Sequence, residues 1–155
     1  MKKLMLFLLF SGIFLSSCGA SKSTKSIPQP LPSPSDKWSV KMTQSGGIAG
    51  VLLVVEANSD GQLIVQDQRS QKTVSTTLSS QAAAELKNLI LNIPATITVL
   101  PPSACADCFI YDLEIQSQGR NINIHADDVT IKNSGVRDLI TELVLIRNGA
   151  LKANP

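Results

Sequence analysis

The segment Cys105-Ala106-Asp107-Cys108 carries the densest chemistry in the chain, two thiols three positions apart with a carboxylate beside the second. Such a pair can exchange electrons, bind a metal or close a disulfide. A redox pair needs a thiol of lowered pKa, usually supplied by a helix N-terminus. A strand pattern follows here instead, at Phe109. A structural zinc takes four ligands. The motif offers two, and His125 and Asp107 would have to complete the set. A disulfide within a tight turn fits better, because residues three apart can reach the roughly 4.4–6.8 Å Cα separation it requires. Closing so small a loop contributes about 2 kcal/mol in the chain-entropy account. Its expected role is to stiffen the approach to the following strand.

His125 is the only histidine. It shares strand parity with Asn121 and Asn123 and is expected to face solvent, across from Asp112 and Glu114 of the preceding strand. A carboxylate–histidine cluster there would have acid–base character, but a lone exposed imidazole is ordinarily only solvated. Asp127 and Asp128 are adjacent acids without the spaced oxygen ligands of a calcium loop, and are expected as solvated loop residues. The chain has no Gly-x-Ser-x-Gly elbow and no phosphate-cradling glycine loop. The sequence therefore predicts a protein that is not an enzyme, with no metal site and no cofactor.

The elements that position these residues follow from periodicity. Residues 38–43 alternate, with Trp38, Val40 and Met42 on one side, and 44–47 break the pattern with paired glycines as a turn or bulge. Residues 48–57 form an apolar, β-branched run expected as a central strand. Asn58-Ser59-Asp60-Gly61 is a hairpin turn, 62–67 return as a strand, and 73–78 are a short edge strand. Ser79 or Ser80 caps a helix over 81–91, stopped by Pro94. Residues 95–107 form a loop with a short strand at 96–100, its exit rigidified by Pro101 and Pro102. Residues 109–116 and 121–126 alternate as a hairpin, with a polar connection over 127–133 in which Val129 and Ile131 pair briefly. Ser134 caps a final helix over 136–147, where Arg147 suits the negative end and Gly149 the position beyond it. The prediction is an α+β fold, an antiparallel sheet of five or six strands with two α-helices on one face, in the order β-β-β-(β)-α-β-β-α.

Residues 1–17 have the layout of a secretory signal peptide: Lys2 and Lys3, an apolar run over 4–15, then small residues. The run is shorter than the roughly 20 residues of a membrane-crossing helix. Leu15-Ser16-Ser17-Cys18 resembles the lipobox of bacterial lipoproteins, which implies lipid attachment at Cys18 and a place in the cell envelope, at the outer membrane or cell surface. With Cys18 lipidated in an oxidising compartment, Cys105 and Cys108 are left to pair. Residues 18–36 are rich in Ser and alternating Pro and read as a disordered tether. One domain spans 37–151, with a tail over 152–155.

The formal net charge of +2 includes Lys2 and Lys3 of the leader, and no acidic residue precedes Cys18, so the remainder is balanced. With aromatics at 4% and no basic block, nucleic-acid binding is disfavoured, since it needs a cationic surface or a stacking platform.

Three segments carry a further likeness. Ser45-Gly46-Gly47-Ile48-Ala49-Gly50 follows a strand, Leu78-Ser79-Ser80-Gln81-Ala82-Ala83-Ala84-Glu85-Leu86 opens a helix, and Asp107-Cys108-Phe109-Ile110-Tyr111-Asp112-Leu113 opens a strand. In this order, over residues 38–146, the chain resembles the emfourin family of protealysin inhibitors. The resemblance implies an inhibitor of thermolysin-like zinc metalloproteases that occupies the active-site cleft. The Cys105/Cys108 pair and the lipid tether depart from that family's pattern. An inhibitor needs stiff loops that lose little entropy on docking. Two segments qualify as protease contacts, one through Ser45, Gly46 and Gly47, the other through Pro101, Pro102 and Asp107. The expected partners are the membrane, through the lipid, and a secreted or periplasmic metalloprotease, with the chain itself a monomer. The alternative is an envelope scaffold or adaptor without inhibitory action.

Overall fold

The computed structural model describes residues 37–94, 103 and 105–154. Cys18, the tether and the expected strand over 96–100 lie outside the described residues. Six strands form one antiparallel sheet: β1 (Trp38–Gly46), β2 (Val51–Asn58), β3 (Gln62–Asp67), β4 (Lys72–Thr77), β5 (Phe109–Ser117) and β6 (Arg120–Asp127). Helix α1 (Ser80–Leu91) separates β4 from β5, and α2 (Arg137–Ala153) closes the chain. The spatial order is β4-β3-β2-β1-β5-β6. This is the α+β architecture, and the element order, that the sequence predicts.

Alternation along the strands decides which face is dry. Trp38, Val40 and Met42 of β1 sit opposite Ala57 and Val55 of β2 on one side, and opposite Ile115 and Leu113 of β5 on the other. Leu63, Val65 and Val74 extend that face outward, as do Ile124 and Ala126. The helices cover it with Leu86 and Ile90 of α1 and Leu139, Ile140 and Leu143 of α2. Each such aliphatic side chain contributes roughly 2 kcal/mol when withdrawn from water. Helix α1 begins where its cap sits, with Ser79 Oγ accepting from Ala82 N at 3.1 Å. The opposite sheet face carries Lys41, Glu56, Asp112, Glu114 and His125 and is open to solvent.

Four local expectations change. β1 does not stop at Thr43. It runs in register to Gly46, opposite Val51, because Gln44 is buried and bonded rather than turned out. Residues 48–50 therefore belong to the β1–β2 turn, not to β2. The 127–133 connection forms a 3-10 turn over Thr130–Asn133 instead of pairing at Val129 and Ile131. Helix α2 starts at Arg137 without a side-chain cap and continues through Gly149 to Ala153. A helical glycine costs about 1 kcal/mol, and the packing of Ala150 and Leu151 against the core offsets it.

Candidate docking site

β1 enters at Trp38 and ends at Gly46, so the 46–50 turn lies at one end of the sheet, beside the start of β5. The 105–108 loop leads directly into β5. The fold thus brings together two segments that are some sixty residues apart in sequence. Gly47 N donates to Cys108 O at 3.1 Å. The contact is too close for side chains: a Cβ on Gly46 would lie 2.7 Å from Cys108 O, and one on Gly47 would lie 2.4 Å from Phe109 Cε1. Both glycines also have positive φ, +89° and +67°. Glycine is required here by conformation and by contact together.

The turn is braced from within and from the side. Gly50 N donates to Gly47 O at 2.8 Å. Arg69 Nη1 donates to Gly50 O at 3.1 Å and also to Ala49 O. Between these braces Ile48 stands 91% exposed, the most exposed of the large apolar side chains in the described residues. The neighbouring loop is closed by a Cys105–Cys108 disulfide with a Cα separation of 5.6 Å. Ala106 and Asp107 are exposed on it.

The loop is anchored by two carboxylates expected from the sequence to be solvated. Asp127 is 4% exposed. Its Oδ2 accepts from Ser103 N at 2.8 Å and Ser103 Oγ at 2.6 Å. Its Oδ1 accepts from Val129 N at 3.0 Å, Thr130 N at 2.8 Å and Thr130 Oγ1 at 3.0 Å. The Ser103 hydroxyl, followed by the Thr130 N–H, holds the Asp127 carboxyl well below the usual carboxylate range. Asp128 accepts from Phe109 N at 2.8 Å and from the Tyr111 hydroxyl at 3.1 Å. Burial, then the Asp128 charge, pushes Tyr111 up to about 12. Beneath the tip, Arg147 points inward, 4% exposed, rather than serving a helix terminus. It donates to Gln44 Oε1, and at 3.2 and 3.1 Å to Asn148 Oδ1. Burial lowers its pKa. Gln44 and Tyr111 are cross-strand partners, so α2, β1 and β5 are joined just below the tip.

Of the sequence-derived site residues, Ser45, Gly46, Gly47, Cys105, Asp107 and Cys108 gather at this end, while Pro101 and Pro102 lie outside the described residues. His125 stands apart on the open sheet face, its Nδ1 2.6 Å from Asp112 Oδ1, with Glu114 and Asn123 bounding the same shallow depression. Among the described residues no group of three or more His, Cys, Asp or Glu side chains is placed to hold a metal ion. No helix among them is long and apolar enough to cross a membrane. Sequence reasoning missed Ile48, Arg69, Ser103, Asp127, Asp128 and Arg147. An isoleucine between glycines was the one legible signal among them, and it reads equally as the start of a strand.

Fold and site together define a two-layer α+β domain with a cross-braced tip at one end of its sheet. Comparison with protein-family models and with curated proteins gives no match.

Proposed function

We propose that this chain is a binding protein that inhibits thermolysin-like zinc metalloproteases from the cell envelope, held there by lipid on Cys18. The observation that carries the reading is the tip itself. Ile48 is 91% exposed on a turn whose backbone is tied by Arg69, Gly50 and Cys108. A large apolar side chain held rigid in water is costly unless something covers it, and its immobility removes an entropic cost of binding. Ile48 is the anchor, and Asp107 with the 105–108 loop forms a polar rim beside it, the usual division of labour in a protein interface. The likeness to the emfourin family, carried partly by the same Gly46-Gly47-Ile48 segment, names the partner class.

The test is titration of the full-length protein in mild detergent against a panel of secreted thermolysin-like proteases. Stoichiometric loss of peptidase activity, relieved at least about tenfold by Ile48→Asp, is expected for a central apolar anchor. Activity unchanged across the panel at micromolar protein overturns inhibition. Pull-down of an envelope complex in its place would identify an adaptor. Lipid labelling that persists in a Cys18→Ser variant overturns the anchor.

A further inference from the structure

β4 is an edge strand, and among the described residues one of its sides has no partner strand. Leu78 N donates to Gly61 O at 2.8 Å, which sets the phase of the ladder. Thr76, Val74 and Lys72 follow in that phase against Leu63, Val65 and Asp67 of β3. The N–H and C=O groups of Thr73, Ser75 and Thr77 therefore point away from the sheet, and all three residues are exposed. Of the usual devices that blunt an edge, β4 carries a single charge. It has no proline, its register with β3 is unbroken by a bulge, and its one charge is Lys72. That ammonium donates to Asn154 O at the end of α2. β6, the other edge, differs. It carries Arg120, Asn121 and Asn123, and its last N–H, on Asp127, is taken by Thr130 Oγ1 at 2.8 Å.

We propose that β4 pairs with β4 of a second copy of this chain, antiparallel about a twofold axis at Ser75, so that two six-stranded sheets become one. In this register Ser75 lies opposite Ser75, Thr73 opposite Thr77 and Val74 opposite Thr76. All the outward N–H and C=O groups of Thr73, Ser75 and Thr77 then find partners. Residues of the helix-covered face meet residues of that same face, as the two-residue period demands. Hydroxyl-bearing pairs across an antiparallel ladder are favourable, whereas like charges opposite each other are not. Lys72 meets Leu78, never a second cation. The strand is therefore complementary to a copy of itself in this register. The proposal departs from the monomer that the sequence suggests, and it is independent of protease inhibition.

The test uses single cysteines in the full-length protein, kept in membranes or mild detergent and exposed to a mild oxidant. Ser75→Cys places two thiols on the axis, at a cross-strand Cα separation of about 5.5 Å that a disulfide spans. Thr73→Cys puts each new thiol four positions from its counterpart, roughly 13 Å away along the strand and beyond bridging. The S75C variant is expected to give at least about tenfold more covalent dimer than T73C, and the T73C/T77C pair is expected to restore it. Because T73C keeps the native cysteines, it also controls for linkage through Cys18. Ser75→Pro removes an outward N–H that no described residue accepts, so the fold is expected to survive while the mass by light scattering falls from two chains to one. Equal cross-linking at 73 and 75, linkage of S75C to a different polypeptide, or a single-chain mass for the unmodified protein would each overturn the pairing.

Discussion

At Gly47 two demands meet that can be separated by experiment. Its φ of +67° excludes most side chains, and the Phe109 ring occupies the place of a Cβ. Gly119 has a φ of +74° but nothing within 4 Å of a Cβ. Gly119→Ala should therefore cost only the conformational penalty, about 1 kcal/mol, and Gly47→Ala about 2 kcal/mol or more, both read from urea midpoints. Asp127 gives a pH signature. Its carboxyl is held low in the folded state, so its contribution is complete above the ordinary carboxylate pKa of about 4 and is lost as pH falls below that. Asp127→Asn should lower stability at pH 7 and flatten the acid limb of midpoint against pH; an unchanged acid limb would refute the assignment. The glycine turn was legible in the sequence, but the role of Asp127 was not. Two adjacent acids in a polar loop look solvated, and the partner that buries one of them, Ser103, is 24 residues away.

Elements were read well where one face alternates and poorly where a polar side chain turns inward. β3, β5 and β6 fall within a residue of their sequence-derived bounds, because Leu63, Val65, Leu113, Ile115, Ile122 and Ile124 alternate without interruption. The sequence pattern ends β1 early because Gln44, next to glycines, resembles a turn residue. Its true partner, Arg147, lies 103 positions away on α2. That pair also explains why α2 outruns its expected end: Arg147 is held by the layer beneath, not by the helix terminus. Arg147→Ala should cost about 2 kcal/mol by leaving the buried Gln44 amide without its donor. The double change Gln44→Met with Arg147→Leu should recover most of that loss, since apolar pairs of similar volume often replace buried polar ones without penalty. A double-mutant cycle on thermal midpoints measures the coupling, and strict additivity would show that the two side chains act independently.

For the molecule as a whole, the helix layer holds one repulsion that substitution can relieve. Burial, then the charge of Glu85 on α1, raises the Glu142 carboxyl on α2. A carboxyl raised on folding destabilises in its ionised form, so stability from this group increases as pH falls toward its folded pKa. Glu142→Gln should stabilise at pH 7 by a few tenths of a kcal/mol and lose that advantage near pH 4, where the unmodified carboxyl takes up its proton. Calorimetry at the two pH values distinguishes this from a uniform propensity effect. Fold class was legible because hairpin turns and two amphipathic helices leave few ways to bury one sheet face. The tip was legible only as two separate glycine- and cysteine-bearing segments. Their meeting depends on β5 pairing beside β1, a non-local choice that no local pattern encodes. That same pairing gives the body a direction. The polypeptide joins β1 at Trp38, and eight residue steps of about 3.3 Å carry it roughly 26 Å to Gly46 at the far end. A surface that holds this chain by its leading residues therefore holds it by the heel. Ile48 stands beyond the opposite end of that strand, roughly 26 Å of β1 away from the point of entry.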